Sequence, residues 1–183
     1  AQTPADEVLA MAPDGIFLTH AHIGHYAGLM FLGREAMNAD GVPVYALPRM
    51  LEFLRSNGPW DQLVRLGNIL LNPVSEKFPV KLSAHLEIQP FHVPHRDECS
   101  ETAGYRITGP SRTALFIPDI DKWDLWEVDL VKTLEEVDLA FLDATFYNAA
   151  EIGYRDMGEI PHPFVVESMS LLETLPVALR NKV

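Results

Sequence analysis

Three histidines stand at positions 20, 22 and 25, and this spacing could bind a metal ion. His20 and His22 lie two residues apart at the end of a predicted strand, so their side chains point to the same face. His25 begins the next turn, from which it can face the same pocket. Three neutral imidazoles that leave one position open are a common catalytic zinc arrangement, and imidazole also suits iron and manganese. The alternative is a surface loop whose histidines pair with acidic neighbours.

Two further candidates follow predicted strands much later in the chain. His95 comes directly after an apolar strand, where it could complete a metal shell from a distant position. Asp119 follows the run Phe116–Pro118, and a carboxylate at a strand end can bridge two metal ions, which in turn keep it ionised. We expect the nearby Asp121 and Asp124 to cap a helix or to be solvated.

Asp143 and His162 form a candidate pair for proton transfer. Asp143 ends an apolar run and opens the sequence Asp-Ala-Thr-Phe. A carboxyl group surrounded by so much apolar sequence needs a partner, and His162 is one candidate. A helix N-cap is the alternative interpretation of Asp143.

The elements that must position these residues alternate between strand and helix patterns. Short apolar runs bounded by Gly, Pro and Asp predict strands, and apolar residues at helical spacing predict helices. Gly109–Ser111 predicts a hairpin turn between two of the strands. The predicted strands are 15–19, 42–47, 86–93, 103–108, 113–117 and 137–142, and the predicted helices are 26–38, 49–56, 60–66, 125–137 and 165–175. Such a mixture indicates a layered α/β or α+β domain.

Composition narrows the classes of partner. The 183 residues carry 14 Lys and Arg against 26 Asp and Glu, a net charge of −12. So acidic a surface repels phosphate backbones and anionic lipids, which argues against nucleic-acid coating and membrane docking and favours a small-molecule substrate. The lone Cys99 excludes an internal disulfide framework and is compatible with a cytoplasmic compartment. A homo-oligomer stays open.

The order of these residues resembles the metallo-β-lactamase superfamily of metal-dependent hydrolases. The resemblance rests on the pattern His-x-His-x-x-His, a distant His and a strand-end Asp, and it covers residues 15 to about 169. Within the superfamily it is most similar to the branch that contains ribonuclease Z, the phosphodiesterases and the pyrroloquinoline-quinone biosynthesis protein B. The segment Leu142–Phe146 is similar to the His-Glu-Ala-Thr-Phe segment of that branch.

The resemblance implies a fold and a set of site residues. The fold is an αββα sandwich of the α/β (α+β) class, here a single domain over 1–183. His20, His22 and His95 correspond to the ligands of a first metal ion, and His25 and Asp119 to ligands of a second, with Asp119 bridging. Asp143 and His162 correspond to the catalytic pair, because His162 stands where that branch carries a His-Ser/Thr motif.

Two departures from the family pattern bear on the second metal ion. Gly24 occupies the position of an Asp that directly precedes the third histidine of the motif, so one ligand oxygen is missing. No histidine follows His162, where the family supplies a further one. The few residues before His20 also lead us to expect a fragment of a longer protein. These departures favour one ion, held by the first three histidines.

The implied function is a metal-dependent hydrolase that uses metal-activated water on a small ester or phosphodiester-type substrate. The cofactor would be one or two divalent ions, with zinc as first choice and iron or manganese as alternatives. Arg96 or Arg106 could anchor an anionic group, or both could be ordinary surface residues. One alternative is a non-hydrolytic metalloprotein, an oxygenase or accessory factor related to the quinone-biosynthesis protein. Another is a metal-free binding domain.

Overall fold

The protein's structure, a computed structural model, describes residues 12–151, 153, 156 and 159–183. The chain divides into two compact units, each with its own sheet and its own apolar core. The first unit takes the described residues up to Val74 together with Asp97–Glu101, and the second takes Ser75–Arg96 and the described residues from Thr102. The single domain predicted over 1–183 stays a prediction.

The first unit contains a three-stranded parallel sheet. Its middle strand buries alternate side chains, with Val44 and Ala46 fully inaccessible, because successive residues of a strand face opposite sides. Ile69 from the neighbouring strand and Met50 and Leu54 from a helix pack into the same core. The elements are β1 Ile16–Phe17, β2 Val42–Ala46 and β3 Ile69–Pro73 in spatial order β1-β2-β3, with the helices α1 Pro48–Ser56 and α2 Trp60–Arg65 and the 3₁₀ segments Ile23–His25 and Ala27–Leu32.

The segment 26–38 is where the predicted helix is wrong. The structure has short 3₁₀ turns there, and Asn38 takes a left-handed backbone conformation with φ of 46°. Leu29 and Leu32 are buried while Met30 is 56% exposed, so the apolar period is three rather than 3.6 residues. Side chains three residues apart line up in a 3₁₀ helix, and glycine within the segment lowers its α-helical propensity.

The other predictions for the first unit are confirmed except for one omission. The strands β1 and β2 and the helices α1 and α2 lie within a few residues of their predicted positions. Strand β3 was not predicted, because its apolar run of Ile69, Leu70 and Leu71 is short and leads directly into Asn72-Pro73. Only Ile69 of this run is fully buried, and Leu70 is largely exposed.

The second unit contains a five-stranded sheet in the spatial order β4-β5-β6-β7-β8. Neighbouring strands are antiparallel except β7 and β8, which are parallel. The predicted hairpin is confirmed, with Thr108 opposite Thr113 and the Gly109 N–H donating to the Arg112 carbonyl at 2.9 Å. The strands are β4 Val80–Ser83, which was not predicted, β5 Leu86–His92, β6 Ala103–Thr108, β7 Thr113–Ile117 and β8 Leu139–Leu142.

The helices of the second unit are shorter than predicted. Helix α3 spans Leu130–Glu135 rather than 125–137. Its start is fixed by Asp129, whose Oδ1 accepts hydrogen bonds from the N–H groups of Val131 and Lys132 at 2.9 and 3.3 Å. The remaining helices are α4 Val165–Glu173 and α5 Val177–Arg180, with 3₁₀ segments at Trp123–Leu125 and Ala149–Glu151.

The mixed α/β class predicted from the sequence is confirmed, with two sheets and accompanying helices. Within the described ranges, the helices are all too short, or not apolar enough, to cross a bilayer.

Candidate metal-binding residues

His20 and His22 lie together at the exit of β1 in the first unit. The strand pairing continues to Leu18, whose N–H donates to the Tyr45 carbonyl at 2.9 Å, and the chain then turns. His20 is 1% exposed, and its Nε2 lies 2.9 Å from Nδ1 of His22. Two nitrogens bound to one tetrahedral zinc at ordinary bond lengths lie about 3.3 Å apart. The two imidazoles therefore present their facing nitrogens at nearly the separation that one ion requires.

The outer ring nitrogens of both histidines are held by polar side chains. Thr19 Oγ1 lies 3.1 Å from Nδ1 of His20, and Glu98 Oε2 lies 3.1 Å from Nε2 of His22. Such outer contacts set the tautomer and ring orientation of metal-binding histidines. Sequence reasoning missed both partners. Glu98 is 76 residues from His22, so no local spacing could have revealed it.

The segment Asp97–Glu101 is firmly tied to the first unit. Ser100 Oγ accepts a hydrogen bond from the Ala21 N–H at 2.8 Å, next to both histidines. The carboxylate of Glu101 accepts from the N–H groups of Arg49 and Met50 at 3.0 and 3.2 Å, at the start of α1. Ser100 and Glu101 are both buried. These hydrogen bonds fix the position of the segment, and with it the position of Glu98 beside His22.

His25 and its neighbours form the exposed side of this group. The ring of His25 lies 4.4 Å from that of His20, measured between centroids. The backbone N–H of His25 donates to the His22 carbonyl. A Cβ placed on Gly24 would meet no atom within 4 Å.

Burial, with the nearby Cys99 thiol as the second cause, raises the pKa of Tyr26. Its phenol is therefore neutral at physiological pH.

His95 follows β5 in the second unit, and its side chain is completely buried. Its Nδ1 lies 3.0 Å from Oδ1 of Asp121, and its Nε2 lies 3.7 Å from Oδ2 of Asp119. The prediction that Asp121 caps a helix or is solvated is therefore wrong. Asp129 performs the capping at α3, whereas Asp124 is exposed as expected. When Asp121 accepts a hydrogen bond from Nδ1–H, the lone pair on Nε2 faces the Asp119 carboxylate. Two electron-rich groups that face each other in this way can both bind a cation.

The carboxylate of Asp143 makes several polar contacts within the second unit. Its Oδ2 accepts from the Ile120 N–H at 3.1 Å and lies 2.6 Å from Nδ1 of His162. Its Oδ1 accepts from both the N–H and the hydroxyl of Thr145. No helix begins there, so the helix N-cap interpretation is wrong, and the expected contact with His162 is confirmed.

A compact acidic and imidazole cluster results in the second unit. Asp119, Asp143 and His162 are all buried, and one ligand atom from each lies within 4.8 Å of the others. The His95 ring lies 5.0 Å from the His162 ring, measured between centroids. Carboxylates and imidazoles in this arrangement can bind a divalent cation, and the bonded Asp143–His162 pair can hold and move a proton.

The two arginines considered as substrate anchors differ in their surroundings. Arg106 binds Glu136 at 2.7 Å on the five-stranded sheet. Arg96 and His162 both line a small cavity of about 70 Å³. Of the two, Arg96 is the one placed beside a predicted site residue.

An ion pair holds the start of helix α4. Lys122 Nζ donates to Oε2 of Glu167 at 2.6 Å, and the Phe164 N–H donates to the same oxygen at 2.7 Å. Burial opposes ionisation of this carboxyl, but the hydrogen bonds from Lys122 and from Phe164 outweigh it and hold the pKa of Glu167 below its ordinary value.

Comparison with known proteins gives one family and several similar structures. Residues 1–180 match the family described as the beta-lactamase superfamily domain. Zn²⁺-bound PqqB from Methylobacterium extorquens is similar with a TM-score of 0.68 and 18% identity, over 85% of this chain and 58% of that chain. A diphosphatase of the PhnP family gives 0.53 and 19%, over 88% and 56%. The short form of human tRNase Z gives 0.52 and 14%, over 87% and 68%.

These similarities extend over part of each known structure. The chain spans between half and about two thirds of the length of these three proteins. No curated protein sequence matches it significantly. At identities below 20%, the likeness establishes the fold, and the metallo-β-lactamase type of fold predicted from the sequence is confirmed.

Proposed function

This chain belongs to the metallo-β-lactamase superfamily, and we propose that it is a metal-dependent hydrolase. Its substrate is a small ester or phosphodiester. His20, His22 and His95 hold a first ion, zinc by preference, and His25 and Asp119 provide a weaker second position.

The observation that carries the proposal is the pair His20 and His22. Their facing nitrogens are 2.9 Å apart, and each outer nitrogen contacts an oxygen-bearing side chain. In the second unit, His95 presents Nε2 towards Asp119 at 3.7 Å. Imidazole and carboxylate together suit Zn²⁺, so the donor set fits a divalent ion on chemical grounds.

A bound divalent ion would lower the pKa of a water ligand and polarise a carbonyl or phosphoryl oxygen. The protein's own residues have separate tasks. Asp143, as a carboxylate, only accepts hydrogen bonds, so His162 donates from Nδ1 and keeps Nε2 to exchange a proton with the leaving group. Arg96, beside His162, binds the negative charge of the substrate.

A second candidate is a non-hydrolytic metalloprotein, and Gly24 favours it. The family pattern has an aspartate at this position, and glycine supplies no side-chain oxygen in its place. A weaker second metal position would suit chemistry that needs one divalent ion better than chemistry that needs two. One structural neighbour, PqqB, is Zn²⁺-bound.

Metal content and turnover of matched variants test the proposal. We expect the protein purified without added metal to contain about one zinc per chain and to hydrolyse bis(p-nitrophenyl) phosphate. His22→Ala and His95→Ala should each reduce zinc affinity by about 100-fold or more, because each substitution removes one of the three histidines that hold the ion. His85→Ala, which changes an exposed histidine, is the control and should retain both properties.

The double variant His22→Ala/His95→Ala distinguishes one shared ion from two separate ones. With a shared ion, each single variant should already lose the same zinc, so the double variant should retain no less zinc than either single variant. With two separate ions, each single variant would keep the other ion, and loss of zinc in the double variant beyond that of either single variant would contradict a shared ion. Iron in place of zinc, with oxygen consumption and no phosphodiester turnover, would favour the non-hydrolytic candidate. Full metal content and turnover in His22→Ala would overturn both.

A further inference from the structure

The three consecutive residues Asp119, Ile120 and Asp121 connect the ends of three strands of the second unit. They follow β7 through Pro118. The Ile120 N–H donates to Asp143, which follows β8. Asp121 contacts the residues that follow β5, which lies on the other side of β7 from β8. Its backbone N–H donates to the Pro94 carbonyl at 2.7 Å, and its side chain lies 3.0 Å from Nδ1 of His95.

Asp121 therefore holds His95 at two points. The backbone hydrogen bond fixes the peptide immediately before His95, and the carboxylate fixes the ring itself. The His95 side chain is fully buried and that of Asp121 is 19% exposed, so water competes weakly for this contact. Two bonds from one residue restrict both the position and the rotation of the imidazole.

The chemistry of this contact also selects a tautomer. A carboxylate accepts hydrogen bonds and donates none, so a neutral His95 must carry its proton on Nδ1. Nε2 then has the lone pair, and it is this nitrogen that lies towards Asp119. In the other tautomer two acceptors would meet at 3.0 Å in a buried place, which is unfavourable.

We infer that Asp121 is a positioning residue: it fixes His95 in the Nδ1–H tautomer and orients Nε2 towards Asp119. The inference rests on the proposed function for its purpose, because a metal ligand needs this lone pair. The contact itself belongs to the protein without any ion. Carboxylate partners of metal-binding histidines typically change metal affinity 10- to 100-fold.

The experiment compares Asp121→Asn and Asp121→Ala with the control Asp124→Asn, an exposed residue three positions further on. In the metal-free protein at about pH 8, above the ordinary pKa of histidine, long-range proton–nitrogen NMR reports which ring nitrogen carries the proton. The His95 signals are assigned by their loss in His95→Ala. Zinc affinity is then measured by competition with a chelating dye.

We expect Asp124→Asn to match the unchanged protein in both measurements. Asp121→Ala should give a mixture of His95 tautomers and bind zinc about 10- to 100-fold more weakly. In Asp121→Asn the amide oxygen can still accept from Nδ1–H, so this variant should keep most of the tautomer and recover part of the affinity. A merely structural role of Asp121 would not produce this graded tautomer change.

Retention of a pure Nδ1–H tautomer in both Asp121 variants would overturn the inference. A changed tautomer with unchanged zinc affinity would support the positioning role and would contradict His95 as a metal ligand, so the two proposals fail separately. If Asp121→Ala does not fold, which circular dichroism would reveal, the Asn variant decides alone. A tautomer and an affinity identical to those of Asp124→Asn would then overturn it.

Discussion

Gly24 is the residue at which this chain departs most clearly from the pattern it resembles. It lies in the 3₁₀ turn between His22 and His25, among residues that are exposed. Its backbone is outside the left-handed region, and an added Cβ would meet nothing within 4 Å. Neither strain nor a steric clash requires glycine at this position. The position can therefore accept an aspartate, and any change in metal binding can be attributed to its carboxylate.

Gly24→Asp should strengthen the second metal position. The new carboxylate adds an oxygen ligand beside His25, so we expect bound zinc to rise from about one to about two ions per chain when zinc is in excess. Elemental analysis after removal of free metal measures this. Gly28→Asp is the matched control, because a Cβ at Gly28 also meets nothing within 4 Å and the new charge is the same.

An equal rise in both variants would show that extra negative charge alone recruits zinc. An unchanged stoichiometry in Gly24→Asp would contradict the assignment of His25 and Asp119 to a second position.

Individual residues show how far sequence reasoning reached. The type and spacing of His20 and His22 predicted a shared direction, and their facing nitrogens are 2.9 Å apart. The same reasoning misjudged Asp121, because an aspartate after a strand looks alike whether it caps a helix or holds a histidine. Its actual partner, His95, is 26 residues earlier in the chain. The metal-ligand and catalytic roles of the predicted residues stay predictions.

At the scale of elements, helix α1 depends on a side chain from outside the helix. Its Leu47 cap position makes no side-chain hydrogen bond, and Pro48 occupies the first turn. The buried carboxylate of Glu101 instead accepts from the N–H groups of Arg49 and Met50. A negative charge at a helix N-terminus is favourable, and it satisfies donors that the helix cannot.

Glu101→Ala should lower the free energy of unfolding by about 1–2 kcal/mol, the usual cost of losing an N-terminal cap. Urea denaturation measures the loss. Glu52→Ala, an exposed glutamate on the same helix, is the control and should change the stability by less than about 0.5 kcal/mol. Equal effects of the two substitutions would show that Glu101 contributes no more than an ordinary surface charge.

The elements also explain which patterns were predictable. The hairpin Ala103–Ile117 and the helices α1 and α2 arise from turn residues and apolar spacing close to them in sequence, and their predictions are confirmed. The helix predicted over 26–38 was wrong because the spacing of the apolar residues there fits a 3₁₀ helix as well as an α-helix. Helix α3 begins later than predicted because Asp129, rather than an upstream residue, supplies the cap.

At the scale of the whole molecule, the proposal requires that one ion stabilise both units. A free zinc concentration of 100 times the dissociation constant adds about 2.7 kcal/mol to the free energy of unfolding of the part of the chain that binds the ion. We therefore expect zinc to slow amide hydrogen exchange in two regions, residues 20–26 of the first unit and residues 94–96 and 119–121 of the second. Mass spectrometry of peptides from the labelled protein measures both.

His22→Ala provides the control for this measurement. With a shared ion, this substitution in the first unit should also abolish the zinc-dependent protection at 94–96 and 119–121 in the second. Protection confined to one unit, or protection of the second unit that survives His22→Ala, would contradict a shared ion. The single domain predicted over 1–183 would then also be wrong.

The sequence by itself determined the mixed α/β class, most of the strands and helices, and the residue types able to bind a metal. These follow from local periodicity, turn chemistry and the donor atoms of each side chain, which neighbouring residues are enough to reveal. Only the tertiary structure revealed Glu98 as the partner of His22 and Asp121 as the partner of His95, and it confirmed His162, which the sequence offered as one candidate, as the partner of Asp143. Those contacts join residues 19 to 76 positions apart. The buried side chains of His95 and Asp143 need polar partners, and these partners lie where the folded chain brings them rather than nearby in sequence.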